Sequence, residues 1–466
     1  MSDDEMEMLS NFDADEMQEM GEQAYERDDL KEARYWFEHA LTRYEEDNNL
    51  QGMGEALLGL GDVASDEEDM AGARALYERA LRTFDQSGDA IGASQVLQEL
   101  GDLDYLRGDE DGARDKYARA VELLLTLGER AVVAMTLERL ARTAEQYGDS
   151  QTAEALYTRS LQINKKLDDQ EAIASNLKRL GSLTYNGKRY AEAEALYTQA
   201  LAIYQRHDAY RDMGECYGQL GNIVYAQGDV ARAQGLFEEA LASFEAAKHK
   251  TGQALALRQL GILAQEAGDL DEATRLFQRS LALFESAERD DKTVSRIAET
   301  VYTLGEIAGA QGDMAQARTL YERALSLWRE IGDDEGAMQV CLQLGILEKE
   351  EGHAHEAREY LETALSTAKT LDHQAGLVRA MSHLGDLAMK QGESAAAREY
   401  FEEALSVAAE LDDAEWLGAA HYNLGMLAAQ EGQKDEARQH WEKALEALAR
   451  VNPSLHAVVQ HHLNEL

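Results

Sequence analysis

Between Ala131 and Gln170 the apolar positions fall at helical spacing twice over. Ala134, Leu137, Leu140, Ala141 and Ala144 form one stripe, and Ala153, Leu156, Tyr157, Ser160, Leu161 and Ile163 form a second. Steps of three and four residues put each set on one face of an amphipathic helix. Gly148 is placed to end the first helix and Asp149 to cap the second. Leu167-Asp168-Asp169 closes the pair and leads into the next first helix.

The same pair recurs with a forty-residue period. Its first helix carries Leu60-Gly61, Leu100-Gly101, Leu140-Ala141, Leu180-Gly181, Leu220-Gly221 and Leu260-Gly261, then Leu304-Gly305, Leu344-Gly345, Leu384-Gly385 and Leu424-Gly425. A weaker copy sits at Met20-Gly21. The second helix opens on a small residue, Ala73, Ala113, Ala153, Ala193 and onwards. Four residues later comes a large one, such as Tyr77, Tyr117, Tyr197, Phe237, Phe277, Tyr321, Phe401 or Trp441. The small residue allows close helix approach and the large one fills the inter-repeat contact, so this aromatic column reads as packing. No segment alternates like a strand bounded by hairpin turns. A chain built this way buries each unit on its neighbours.

Leu-Gly in a first helix facing Ala, Tyr or Phe, and Ala in a second closely resembles the tetratricopeptide repeat, over roughly residues 12–450. The forty-residue period and the lack of a proline closing the second helix are similar to the longer-helix class of LGN- and Pins-type G-protein-signalling modulators. Bacterial signal-integrating regulators and peptide-pheromone receptors use similar arrays. The resemblance implies an all-α, right-handed superhelix, an α-solenoid of about eleven helix-turn-helix repeats, whose concave face of first helices grips a peptide, a helix or another domain. No kinase, cyclase, nucleotide-binding or DNA-binding unit stands outside the repeats.

The expected organisation is an acidic lead-in at 1–11, repeats one to seven over 12–294, repeats eight to eleven over 295–450, and a C-terminal capping helix at 451–466. Leu260 and Leu304 are forty-four residues apart, which places a four-residue insertion near 288–293. Four residues add about one helical turn; an inert loop extension and a joint between two halves both fit. The chain's one proline, Pro453, suits the first turn of the cap, whose Leu455, Val458, Val459 and Leu463 would cover the last apolar face.

Charge narrows the partners. The 466 residues carry 89 acidic against 45 basic side chains, a formal charge of -44. That field repels nucleic acid and anionic membrane and is compatible with a salt-rich cytoplasm. The N-terminal sequence has neither the basic nor the apolar segment of a secretory signal, and no apolar run reaches the length of a membrane span. Cys216 and Cys341 stand far apart without ligand-like neighbours, as small buried residues of a reducing compartment do. A cytoplasmic protein is expected.

Chemistry finds little support. His353 and His355 share a turn, His383, His421 and His440 lie on separate helices, and His456, His461 and His462 lie in the cap. None has metal-ligand spacing. Glycines isolated along the helices and at their ends, without a glycine-rich loop, cannot cradle a phosphate. The chain is expected to be no enzyme and to need no metal or cofactor.

Positions two before and two after the repeated leucine should face the groove. In the central repeats these include Glu138 and Arg142, Lys178 and Ser182, Gly218 and Asn222, and Arg258 and Ile262, with Arg139 and Arg179 at the edge. Two readings compete for this basic block. One is an internal ion-pair lattice with Glu138, Glu145 and Glu215; the other is a site for a carboxylate-bearing peptide, which Arg142, Lys178, Arg179, Asn222 and Arg258 would hold. Later repeats present Tyr302, Glu306, Leu342, Ile346, Ser382, Asp386, Tyr422 and Met426, a more apolar and acidic lining suited to a basic amphipathic helix. The function expected is a non-catalytic scaffold or adaptor for a protein or peptide. The alternatives are a peptide-responsive sensor and a structural protein that self-associates.

Overall fold

The computed structural model describes residues 12–466 apart from 129 and 412, so the lead-in at 1–11 lies outside the described residues. Within them the chain forms 23 α-helices from Ala14–Glu26 to Pro453–Glu465 and no strand. Within each unit they form an antiparallel stack of helix pairs.

Many helices begin on an aspartate or asparagine cap and end next to a left-handed glycine, as the sequence marks them to. Asp109 accepts the backbone N–H of Gly112 at 3.0 Å and Asp149 that of Thr152 at 3.1 Å, satisfying N–H groups a helix start leaves free. The preceding helices end on left-handed residues, Gly108 at φ 76° and Gly148 at φ 83°.

The Leu-Gly pair proves to be a socket. A Cβ on Gly181 would lie 2.9 Å from the Tyr197 ring, and one on Gly305 2.8 Å from that of Tyr321. Glycine there admits the aromatic knob of the partner helix, and Ala153, Ala193, Ala273 and Ala317 beside these contacts have no exposure. A second socket joins successive repeats. Phe84 closes on Gly54 and Gly92, and Trp328 lies 2.6 Å from a Cβ on Gly336. These later aromatics reach forward, so a repeat that carries one is keyed to its own partner helix and to the next repeat.

By internal contact the chain divides into two units, Met1–Asp229 and Val230–Leu466. The insertion lies inside the second. In the regular repeat before it, Val230–Ala246 and Lys250–Glu266 each have 17 residues and are joined by 247–249. At the insertion, Leu270–Glu285 has 16 residues, the connection is 286–290, and Asp291–Ala310 has 20. The four extra residues thus go mainly into one additional turn at the start of a first helix. Its Thr293 and Val294 are buried, and Phe284, Val294 and Ile297 share one apolar core across the connection. Arg289, in the connection, forks onto both oxygens of Glu330 at 2.7 Å.

The second unit closes with Pro453–Glu465, whose Pro453 stands in the first turn after the Asn452 cap. Val459 is fully buried with Trp441, Ala444 and Leu448, and Leu455, Leu463 and Leu466 pack alongside. The helix therefore covers the apolar face that the last repeat would otherwise expose.

Candidate functional site

Some successive first helices touch one another in each unit, as Ala14–Glu26 does Leu50–Asp66 and Gln374–Lys390 does Ala414–Gln430, which puts first helices on the tighter, inner side there. In the first unit that side carries a pocket of about 370 Å³ between the helices Ala90–Leu106 and Arg130–Gln146. Its floor is polar and buried: Ser94, Gln98 and Thr136 are 1%, 4% and 9% exposed. Its rim is apolar and open, with Ile91 44% and Met135 71% exposed. Exposed methionine beside polar groups is a surface able to mould to a partner.

Glu138, Arg139 and Arg142 complete the wall. Arg139 is neutralised by Glu99. Arg142 is exposed and makes no hydrogen bond or ion pair among the described residues, and Arg179 on the next first helix does the same. Both guanidinium charges act on the Tyr157 phenol, whose hydroxyl donates to Glu145 at 3.1 Å and whose pKa burial pushes up. Arg142 and Arg179 therefore come together on one patch, around Tyr157.

Behind the pocket lies a buried polar knot. Glu138 Oε1 accepts from Asn164 at 3.1 Å and from Asn176 at 2.9 Å, and Ser160 donates to the Ala134 carbonyl at 3.1 Å. Asn164 and Asn176 also donate to Ser160 Oγ at 3.2 and 3.0 Å. Asn176 is 1% exposed and its Oδ1 has no partner. Asn164 occupies the register that Phe84, Tyr204, Phe244 and Phe284 fill in other repeats. Here a polar network replaces an aromatic knob.

The remaining basic residues are committed. Lys178 lies between Asp212 at 2.6 Å and Glu215 at 2.7 Å, and its ammonium is 5.6 Å from the Tyr204 ring centre. Its pKa is raised despite burial because both carboxylates bond it. Arg258, in the second unit, pairs with Glu299 at 2.7 Å. These two follow the ion-pair-lattice reading, although Asp212 and Glu299 were not among its expected carboxylates and Glu138 serves the polar knot instead. Asn222 is half-buried, 3.5 Å from Gln219.

In the second unit Tyr302 is half-buried against Tyr321 and Trp328, with ring centres 5.6 and 5.8 Å away, and its hydroxyl accepts from Gln343 at 3.1 Å. Ile346 is half-buried. Leu342 has no exposure and belongs to the core. Tyr422 sits 5.9 Å from His462 of the capping helix, and its carbonyl accepts from the Trp441 indole at 3.3 Å. A buried cation went unnoticed in the sequence: Lys349, 7% exposed, pairs with Asp386 at 3.1 Å. The neighbouring His383 is held neutral, its pKa lowered to about 3 by burial and then by Lys349 and Arg379.

Among the described residues Glu348, Glu351 and His353 bring three metal-type ligand atoms within 4.8 Å of one another. Arg318 already occupies that cluster, with Nε 2.7 Å from Glu348 and a further contact to Glu351. Its guanidinium supplies the positive charge that the cluster needs.

The family profile described as tetratricopeptide repeat matches residues 52–126, 128–206, 208–286, 296–370 and 377–450, well over half the chain. The chain belongs to the tetratricopeptide-repeat family. No curated protein matches it. Among solved structures it is similar to the apo form of the quorum sensor NprR from B. thuringiensis, at 14% identity and TM-score 0.53, covering 76% of this chain and 98% of that one. It is also similar to a signal-transduction ATPase with numerous domains from Pyrococcus horikoshii that carries a tetratricopeptide-repeat sensor. That match has 12% identity and TM-score 0.57, covering 84% of this chain and 66% of the other. At such identities the likeness is one of fold. No helix among the described residues is long and apolar enough to cross a membrane.

Proposed function

We propose that this tetratricopeptide-repeat protein is a non-catalytic scaffold that binds a protein segment or peptide on the inner face of its first unit. Arg142 and Arg179 would engage a ligand carboxylate, and Ile91 and Met135 an adjacent apolar side chain. The observation that carries this reading is the unpaired state of Arg142 beside the pocket, in a chain with 44 excess negative charges. Fold maintenance gives no reason to leave a guanidinium without a carboxylate when carboxylates are so abundant. Arginine suits the role because its planar fork matches a carboxylate with two hydrogen bonds. The second unit offers a separate apolar surface at the half-buried Tyr302, Ile346 and Tyr422, suited to a basic amphipathic helix. A cytoplasmic setting agrees with the free, buried thiols of Cys216 and Cys341.

A second reading is a regulatory sensor whose helix stack changes arrangement when a peptide binds. The quorum-sensing role of NprR and the sensor role of the Pyrococcus array favour it by likeness of fold. Affinity capture from the native source, with wild type beside an Arg142→Glu/Arg179→Glu variant, tests both. The scaffold reading expects a stoichiometric protein that the variant loses while keeping its melting temperature. A co-purifying short peptide supports the sensor. Undiminished capture by a folded variant removes Arg142 and Arg179 from the site.

A further inference from the structure

Arg142 has two carboxylates within one turn of its own helix and, among the described residues, pairs with neither. Glu138 stands four residues before it and Glu145 three after, spacings that bring side chains together on a helix surface. Both spacings make ion pairs elsewhere in the chain, Glu110 with Arg114 at 3.0 Å and Arg43 with Glu46 at 3.3 Å. Around Arg142 the two carboxylates are held by neutral donors instead. Glu138 Oε1 takes Ser160 at 3.0 Å besides Asn164 and Asn176, and Glu145 takes the Tyr157 hydroxyl at 3.1 Å. Arg179 lacks a partner for a second reason. Arg139 reaches Glu99, forty residues back, but the residue forty before Arg179 is Arg139 itself. Glu145 therefore remains the carboxylate beside both guanidinium groups, since both act on the phenol that bonds it.

Tyr157 belongs to the packing column, yet its hydroxyl does something that packing does not require. Phe237, Phe277 and Phe401 fill the same register without one. In the two preceding repeats the tyrosine bonds the residue two after the repeated leucine: Tyr77 donates to Asp62 at 2.8 Å and Tyr117 donates to Asp102. In this repeat that position is Arg142, which has no acceptor to offer. The hydroxyl turns to Glu145 instead. Burial raises the phenol pKa, so the donor is present at neutral pH.

On the reading that Arg142 and Arg179 contact the ligand, we infer that Tyr157 is their positioning residue: its hydroxyl keeps Glu145 from neutralising the two guanidinium groups. A hydroxyl satisfies a carboxylate oxygen without supplying positive charge. Glu145 is thereby fixed, and the forks of Arg142 and Arg179 keep their donors for an incoming anion. A ligand carboxylate then meets two free guanidinium groups and has no internal ion pair to break.

The test is the rate at which p-hydroxyphenylglyoxal modifies Arg142 and Arg179 in the full chain at pH 8, mapped by peptide mass spectrometry. A guanidinium held by a carboxylate reacts more slowly than a free one. Tyr157→Phe releases Glu145 and should slow one or both sites about two- to fivefold, the worth of an exposed ion pair. Tyr157→Phe/Glu145→Gln should return both to the wild-type rate, a rescue that a packing defect would not show. Tyr77→Phe removes the matching hydroxyl two repeats earlier and should leave both rates unchanged. Other repeats carry phenylalanine in this register, so melting followed by circular dichroism should show each variant folded. Unchanged rates in a folded Tyr157→Phe would overturn the inference, as would a double variant that stays slow or equal slowing by Tyr77→Phe. If the rates behave as expected yet Arg142→Glu/Arg179→Glu still captures its partner undiminished, the hydroxyl positions the charges and the scaffold reading alone fails.

Discussion

Replacing Asp62 with Asn should stabilise the first unit at neutral and alkaline pH and do nothing in acid. The Asp62 carboxyl has its pKa raised from 3.8 to about 7, first by burial and then by Glu99 and Asp66. In the unfolded chain it returns to its ordinary value. Between those two values the folded state binds more protons than the unfolded one, so the stability contributed by Asp62 declines as pH rises. It is fully present below about pH 4 and lost by the time pH has passed 7. A rise of about three units corresponds to about 4 kcal/mol as an upper bound, and solvent reaching the half-buried carboxylate reduces this to about 2 kcal/mol. Asn keeps an oxygen for the Tyr77 hydroxyl and adds no charge, so the variant isolates ionisation. Because repeats open locally, the assay is hydrogen exchange in the peptides spanning 50–66 and 70–87, read for both proteins from pH 4 to 8 after correction for intrinsic exchange. The difference in opening free energy should be near zero at pH 4 and grow through pH 7. Parallel profiles at every pH would refute the reasoning.

The histidines of the second unit should respond in the opposite sense. His421 has its pKa lowered to about 4 by burial and by His440, whose Nδ1 is 3.0 Å away, so acid favours the unfolded chain as pH falls from 6.5 through 4. His421→Phe should flatten that loss in exchange measurements over 414–448. Phe277→Ala removes a ring with no exposure and should cost about 3–5 kcal/mol, with lost exchange protection centred on 250–285. Truncation after Arg450 uncovers Trp441 and Leu448 and should produce concentration-dependent association by light scattering. Arg289→Ala breaks only an exposed pair with Glu330 and should shift denaturant midpoints by less than about 1 kcal/mol equivalent; a larger loss would mean the inserted connection organises the repeats around it.

Much of the fold was legible because Leu-Gly and its aromatic partner lie in one helix pair and repeat at fixed spacing. The forward-reaching socket was also visible but went unread. Gly52, Gly92, Gly252 and Gly336, which meet Tyr44, Phe84, Phe244 and Trp328, each stand eight residues before a repeated leucine. The site was less accessible. Arg142, Lys178 and Arg258 occupy comparable positions in sequence, but whether each is free or paired depends on residues one repeat away, such as Asp212, Glu215 and Glu299. Helical-wheel reasoning places a side chain on a face and cannot tell which neighbour reaches it. Asp62 and Asp102 stand two residues after Leu60 and Leu100, the same offset as Arg142. Attention to the positive charges of the central repeats left these carboxylates unconsidered, although burial raises Asp102 to about 6.

The knot formed by Glu138, Ser160, Asn164 and Asn176 also bears on how the chain avoids folding wrongly. Its repeats are so alike that a first helix meeting the wrong second helix would still find an alanine, an aromatic and a glycine socket in place. Mispairing one repeat out of step, or with the same repeat of another molecule, is the characteristic hazard of such arrays. The knot works against it at one point. Asn164 offers an amide where several other second helices offer an aromatic ring, and the Glu138 carboxylate that accepts it also accepts Asn176 from the next first helix. In any other docking those amides would be buried without partners, a penalty that an all-apolar contact does not impose. One imperfectly satisfied polar contact, with Asn176 Oδ1 unmatched even in the native fold, thereby gives a nearly periodic chain an origin from which its repeats are counted.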